Sequence, residues 1–241
     1  MTRIDIIDNI RGFAFIPMCI FHMFFAYDMS NMFTTHLINN SFIHILGLIR
    51  NVYILLAGVS LAIAAKDKIK THKYYSSRLK RSLVIFGHAM IITILTHALF
   101  PEYGVKFGVL HFLALSSILI SPIASSKILI IIALIASLML DYPTINPVID
   151  TITGAKLHYY TADWFPLNKN LPIILSGLLI GNIIVKYKET YDIEEDTPDT
   201  YDIEEKSYIS RTLNWIGRNS LNLYTGHMTL FITLAYIFKK K

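Results

Sequence analysis

Long apolar runs alternate with short polar connections along the chain. Residues 12–27, 82–101, 107–126, 128–140, 170–185 and 219–238 contain no Asp, Glu, Lys or Arg, and residues 42–65 contain only Arg50. A helix of roughly 20 mostly apolar residues is long enough to cross a bilayer's hydrocarbon core, and it satisfies all its backbone polar groups internally. The pattern therefore predicts an all-α, polytopic membrane helix bundle of about seven transmembrane helices. The runs 107–126 and 128–140 are the weakest, because Ser121-Pro122 interrupts them. They read either as two crossings or as one re-entrant hairpin. Residues 1–241 read as a single domain, with 186–210 expected to be an acidic, disordered cytoplasmic loop within it. The first run follows Arg11 and holds His22, and no small-residue cleavage site comes after it, so it is expected to be a retained helix and not a signal segment.

Composition narrows the class further. Charged residues make up 16% of the chain, against about 25% in a soluble domain. The same figure excludes a disordered chain, which needs high charge and low hydrophobicity. With Cys19 as its single cysteine, the chain can form neither a disulfide framework nor a cysteine zinc cluster. The net charge of +5 conceals a division. Residues 189–205 carry nine of the 17 acids and no base, which leaves 22 bases against 8 acids elsewhere. Those bases form no stripe on a polar domain, so the partner they imply is the lipid bilayer and not nucleic acid.

Seven bases (Lys66, Lys68, Lys70, Lys73, Arg78, Lys80 and Arg81) stand against Asp67 alone in one connection. Basic loops stay in the cytoplasm. This puts the N-terminus inside, residues 28–41 and 141–169 outside, and the protein in the cell membrane as a multi-pass chain. An odd helix count then places Lys239, Lys240 and Lys241 outside, against the same rule. Residues 190–199, TYDIEEDTPD, restart as TYDIEE at 200–205. This acidic duplication reads as a solvated linker.

Ionisable residues are costly inside a membrane and so mark function by default. Arg11 and His22 are 11 residues apart, close to three helical turns, and share one face. At 1.5 Å per residue they lie roughly 16 Å apart along the axis. That geometry suits a long ligand with a polyanionic head at the mouth and a reactive end in the bilayer, as in an acyl-coenzyme A. Arg11 could equally be an anchor paired with Asp8 one turn earlier. Arg78 and Arg81 share a helix face on the same side, and arginine binds phosphate through several donors at once. Arg50 lies too deep for an anchor and needs an acid or a wet cavity, with Asp28 and Asp163 as the available partners. Gly58-Val-Ser60 and Gly177-x-x-x-Gly181 read as close-packing surfaces. No GxxxxGK[ST], HExxH or G-x-S-x-G motif occurs, and the histidines lack metal-ligand spacing, so no metal is expected.

Several blocks resemble the heparan-alpha-glucosaminide N-acetyltransferase catalytic-domain family, whose prokaryotic members are small polytopic proteins. They are RIDIIDNIRGFAFIPMCIFH at 3–22, LLAGVSL at 55–61, FGVLH at 107–111, DWFPL at 163–167 and GRNSLNLYTGH at 217–227. The spacing of Arg11 and His22 and the pair Arg78 and Arg81 also resemble the wider transmembrane acyltransferase superfamily. The resemblance implies acetyl transfer across the membrane from cytoplasmic acetyl-CoA to a hydroxyl or amine of a sugar or lipid-linked acceptor. It implies His22 as the catalytic base, at the superfamily's helix position. His36 is the runner-up, because lysosomal members are reported to use a histidine in the loop after the first core helix. Arg11, Arg78 and Arg81 would hold coenzyme A. Arg50, His111, Asp163 and Asp28 would line the acceptor side. Arg218 and His227 belong to a family motif without an assigned role. A transporter or channel using the same Arg and His residues, and a non-catalytic membrane scaffold, stay as alternatives, and a homo-oligomer is left open.

Overall fold

The computed structural model describes residues 5–29, 40–65, 71–101, 104–139, 163–191 and 207–239. These fold into helices α1 (Asp5–Met29), α2 (Asn40–Ala65), α3 (His72–Leu99), α4 (Val109–Ile120), α5 (Lys127–Met139), α6 (Leu167–Tyr191), α7 (Tyr208–Arg218) and α8 (Ser220–Ile237). Four contain spans long and apolar enough to cross a membrane: Asp5–Tyr27, Gly47–Ala65, His72–Leu99 and Leu167–Tyr187. Val109–Ile123 and Lys127–Met139 are apolar but shorter, and they form the pair that the Ser121-Pro122 break had set apart. Proline lacks the N–H that would continue an α-helix, and α4 gives way there to a 3₁₀ turn at Ser121–Ile123.

Side-chain pairings fix the helix directions. Gly217, three residues before α8, meets Asp8, and His227 farther along α8 meets His22, so α8 runs roughly parallel to α1. His88 meets Thr225 and Phe100 meets Tyr236, so α3 runs the same way. Thus α1, α3 and α8 begin at one end of the bundle, and α4 returns antiparallel to α3, with Ser82 bonded to Ala114 O and Thr93 beside His111.

Helices in lipid gain little from burying apolar surface against one another, so close backbone approach carries the association. The α2–α6 contact shows this. A Cβ on Gly58 would collide with the Ile174 carbonyl, and one on Gly177 with the Leu55 carbonyl. One cluster of buried residues joins α2, α4, α5 and α6 around Ile54, Phe112, Ile130 and Leu175. A second joins α1, α3, α4 and α8 around Phe15, Ile92, Leu110 and Met228. Large apolar side chains such as Phe13, Ile94, Ile128 and Ile183 cover the outside, as a lipid-facing surface requires.

The sequence reading did not anticipate α7. It lies against the first turns of α1, where Gly12 meets the Leu213 carbonyl and Gly217 meets the Asp8 carbonyl. Asn9 Nδ2 donates to Ser210 Oγ at 3.0 Å, and Asn214 Nδ2 to Asp5 Oδ1 at 3.2 Å. Its other face exposes Tyr208, Ile209 and Trp215.

Candidate functional site

A cavity of about 990 Å³ runs between α1, α2, α3, α4, α6 and α8. That is the upper end of the range for small-molecule sites. Arg11, Arg78, Arg81 and Arg218 line one end, where α1, α3 and α8 begin. His22, Tyr53 and Tyr224 line the middle, and Arg50, Asp163 and Trp164 line the far end.

At the arginine end, Arg11 donates to Asp8 Oδ1 at 3.1 Å, to the Leu56 carbonyl at 3.3 Å and to Ser60 Oγ. Arg11 thus pairs with Asp8 and also lines the cavity. Tyr53 Oη donates to the Arg11 carbonyl at 2.7 Å and ties α2 to α1. Arg218 donates to Asp5 Oδ1 at 2.8 Å and lies 3.6 Å from Asp8 Oδ2. Asp8, 5% exposed, is thus flanked by two guanidinium groups. Arg78 lies over the Tyr74 ring at 5.7 Å, and its buried Nε has no hydrogen-bond partner among the described residues.

Mid-cavity, His22 Nδ1 is 2.9 Å from His227 Nε2. Tyr224 meets the His22 ring edge-on at 5.5 Å between centroids.

At the far end, two blocks distant in sequence come together. Phe165 N donates to Phe107 O at 2.9 Å, and Phe107 pairs with Trp164 in an isolated bridge. This carries Asp163 to the start of α4, where the Val109 N–H donates to Oδ2 at 3.0 Å. A Cβ on Gly108 would collide with that carboxylate, so the approach requires glycine. Burial pushes the Asp163 carboxyl up to about 6, and the Val109 N–H, Arg50 and the Trp164 N–H hold it from rising further. Asp163 also lines the cavity. Arg50 also lies over the Phe165 ring at 5.0 Å. Of its two anticipated partners, Asp163 is beside it, while the Asp28 side chain lies outside the described residues.

His111 is placed differently from the other anticipated residues. It is buried in the first turn of α4, where Nδ1 accepts from the Gly108 N–H at 3.2 Å and Nε2 faces Thr93 Oγ1 at 3.4 Å. It is absent from the residues that line the cavity. His36 lies outside the described residues, as does most of the acidic duplication. Tyr53 and Tyr224 were not singled out from sequence, and Ser60 was read only as part of a close-packing surface. Tyr224 lies inside the GRNSLNLYTGH block, so a signal for it existed.

The family model described as heparan-alpha-glucosaminide N-acetyltransferase, catalytic, matches residues 3–229. This chain belongs to that family. No curated protein and no solved structure matches the chain. As a member of the N-acetyltransferase catalytic family with several apolar helices, the chain is a membrane enzyme of acetyltransferase type. The family match spans every element that lines the cavity, from Ile7 on α1 to Tyr224 on α8.

Proposed function

We propose that this acetyltransferase takes an acetyl group from cytoplasmic acetyl-coenzyme A and passes it to a hydroxyl or amine of a sugar or lipid-linked acceptor on the outer side of the cell membrane. The observation that carries this reading is one cavity that joins four arginines at one end, His22 in the middle, and Arg50 with Asp163 at the far end. A donor with phosphates at one end and a thioester at the other matches the order of arginines and histidine along it. The basic connection 66–81 opens α3 at the arginine end, so the positive-inside rule puts the phosphates in the cytoplasm and the N-terminus with them.

In this reading Arg78 and Arg81 hold the phosphates, with Arg218 beside them. Guanidinium groups do this by charge-assisted, often bidentate hydrogen bonds. Arg11 lines the same end, its charge balanced by Asp8. The acceptor enters past Asp163 and Arg50. His22 takes the proton from the acceptor hydroxyl or amine as its oxygen or nitrogen attacks the thioester carbon. The tetrahedral adduct then expels the thiolate, and the proton passes from His22 to sulfur. The acetylated acceptor and free coenzyme A are the products.

Purified protein with labelled acetyl-coenzyme A and a panel of sugar, lipid and amine acceptors tests the reading, with wild type compared to His22→Ala and His36→Ala. Loss of transfer in His22→Ala alone supports it. Unchanged turnover in His22→Ala removes that residue from the mechanism, and no thioester consumption with any acceptor rejects the donor.

A further inference from the structure

Behind His22, seen from the cavity, stands His227, which is not part of the cavity wall. The two rings are 28° from parallel with centroids 5.1 Å apart, and His22 Nδ1 is 2.9 Å from His227 Nε2. On its other side His227 Nδ1 is 2.8 Å from the carbonyl oxygen of Leu223, one turn back on α8. Phe15, Tyr224 and Phe231 meet the His227 ring edge-on at 5.3 to 5.6 Å and hold it in place.

The direction of this relay follows from its last member. A carbonyl oxygen can only accept, so the hydrogen of neutral His227 is on Nδ1. A neutral imidazole carries one N–H, so Nε2 of His227 is a bare acceptor. His22 must then donate through its own Nδ1, and its lone pair falls on Nε2, the nitrogen left for the cavity. We propose that His227 is a positioning residue that locks His22 in the Nδ1–H tautomer and so presents Nε2 as the base. The role of that base rests on the acetyl-transfer reading above. When His22 takes a proton at Nε2, the Nδ1–H bond to His227 becomes charge-assisted, which stabilises the protonated base as it forms. Without His227 the hydrogen is free to move to Nε2, where it blocks proton uptake from the acceptor.

The test is long-range proton–nitrogen NMR on protein labelled with ¹⁵N-histidine in lipid nanodiscs, without acyl donor. The His22 signal is identified by its loss in His22→Gln. Wild type is expected to show the Nδ1–H pattern at His22. His227→Gln is expected to keep it, because an amide oxygen accepts from Nδ1, and His227→Phe to lose it. In acetyl transfer His227→Phe should lower kcat on the order of 100-fold with the KM for acetyl-coenzyme A unchanged, and His227→Gln should recover much of that. An Nε2–H pattern at His22 in wild type, or an unchanged pattern in His227→Phe, overturns the proposal whatever the activity. An Nδ1–H pattern in a wild type that transfers no acetyl group supports the relay and rejects the acetyl-transfer reading.

Discussion

His22 and Asp163 set the chemistry at the scale of single residues, and each is defined by what stands beside it. His22 faces the cavity from α1. Removing a general base typically costs 10²- to 10⁴-fold, so His22→Ala should lose about that much turnover in the acetyl-transfer assay. Asp163 makes a different, pH-dependent prediction. Its carboxyl is raised from 3.8 to about 6, chiefly by burial. Between those values the folded protein holds a proton that the unfolded chain has released, so stability falls as pH rises through the window. In Asp163→Asn that contribution is gone. The melting temperature of wild type relative to Asp163→Asn should therefore drop as pH rises from 3.8 to about 6 and then level off. A difference that stays constant across the window would count against a raised carboxyl.

Between helices, small residues decide how closely backbones approach. Gly177 packs on the Leu55 carbonyl, and Gly181 on Val59 and Ala62. Any larger residue at Gly177 must push α2 and α6 apart, and α2 carries Arg50, Tyr53 and Ser60 into the cavity. Overpacking of this kind costs about 1–3 kcal/mol. Gly177→Leu should lower the melting temperature of the solubilised protein and reduce turnover with it. Gly87→Leu is the control, because a Cβ there meets nothing within 4 Å, and both readouts should stay unchanged. No uncharged run marks α7 in the sequence, because Arg211 interrupts it. Tyr208, Ile209 and Trp215 occur among Ser, Arg and Asn, on one face of a helix whose other side packs on α1.

Across the whole molecule, the arginine end and the end at Arg50 and Asp163 are joined by one space. Hydrogen bonds to charged groups contribute about 1.5–3 kcal/mol each, so Arg78→Gln and Arg81→Gln should each raise the KM for acetyl-coenzyme A about tenfold or more. The effect should shrink at high salt, with kcat changed far less. Equal losses in kcat and kcat/KM would instead tie these arginines to the chemical step. Because the acidic duplication reads as a solvated linker, deleting residues 192–206 should leave turnover unchanged in the same assay.

The all-helical membrane class was legible in the sequence, because a bilayer demands long uncharged runs and the chain supplies them. The weak pair around Ser121-Pro122 was legible for the same reason, and so were the glycine surfaces, since lipid leaves small residues as the means of close packing. The separation of Arg11 and His22 followed from helical period alone. Only the tertiary structure could bring together what lies on different helices. It set Asp163 on the start of α4 through the pairing of Phe107 with Trp164, and it brought Arg50 near that carboxylate. It also turned His111 into α4 and set His227 against His22. Helical periodicity governs which residues share a face of one helix. It carries no information about which face of a neighbouring helix they meet, and the site is made of those meetings.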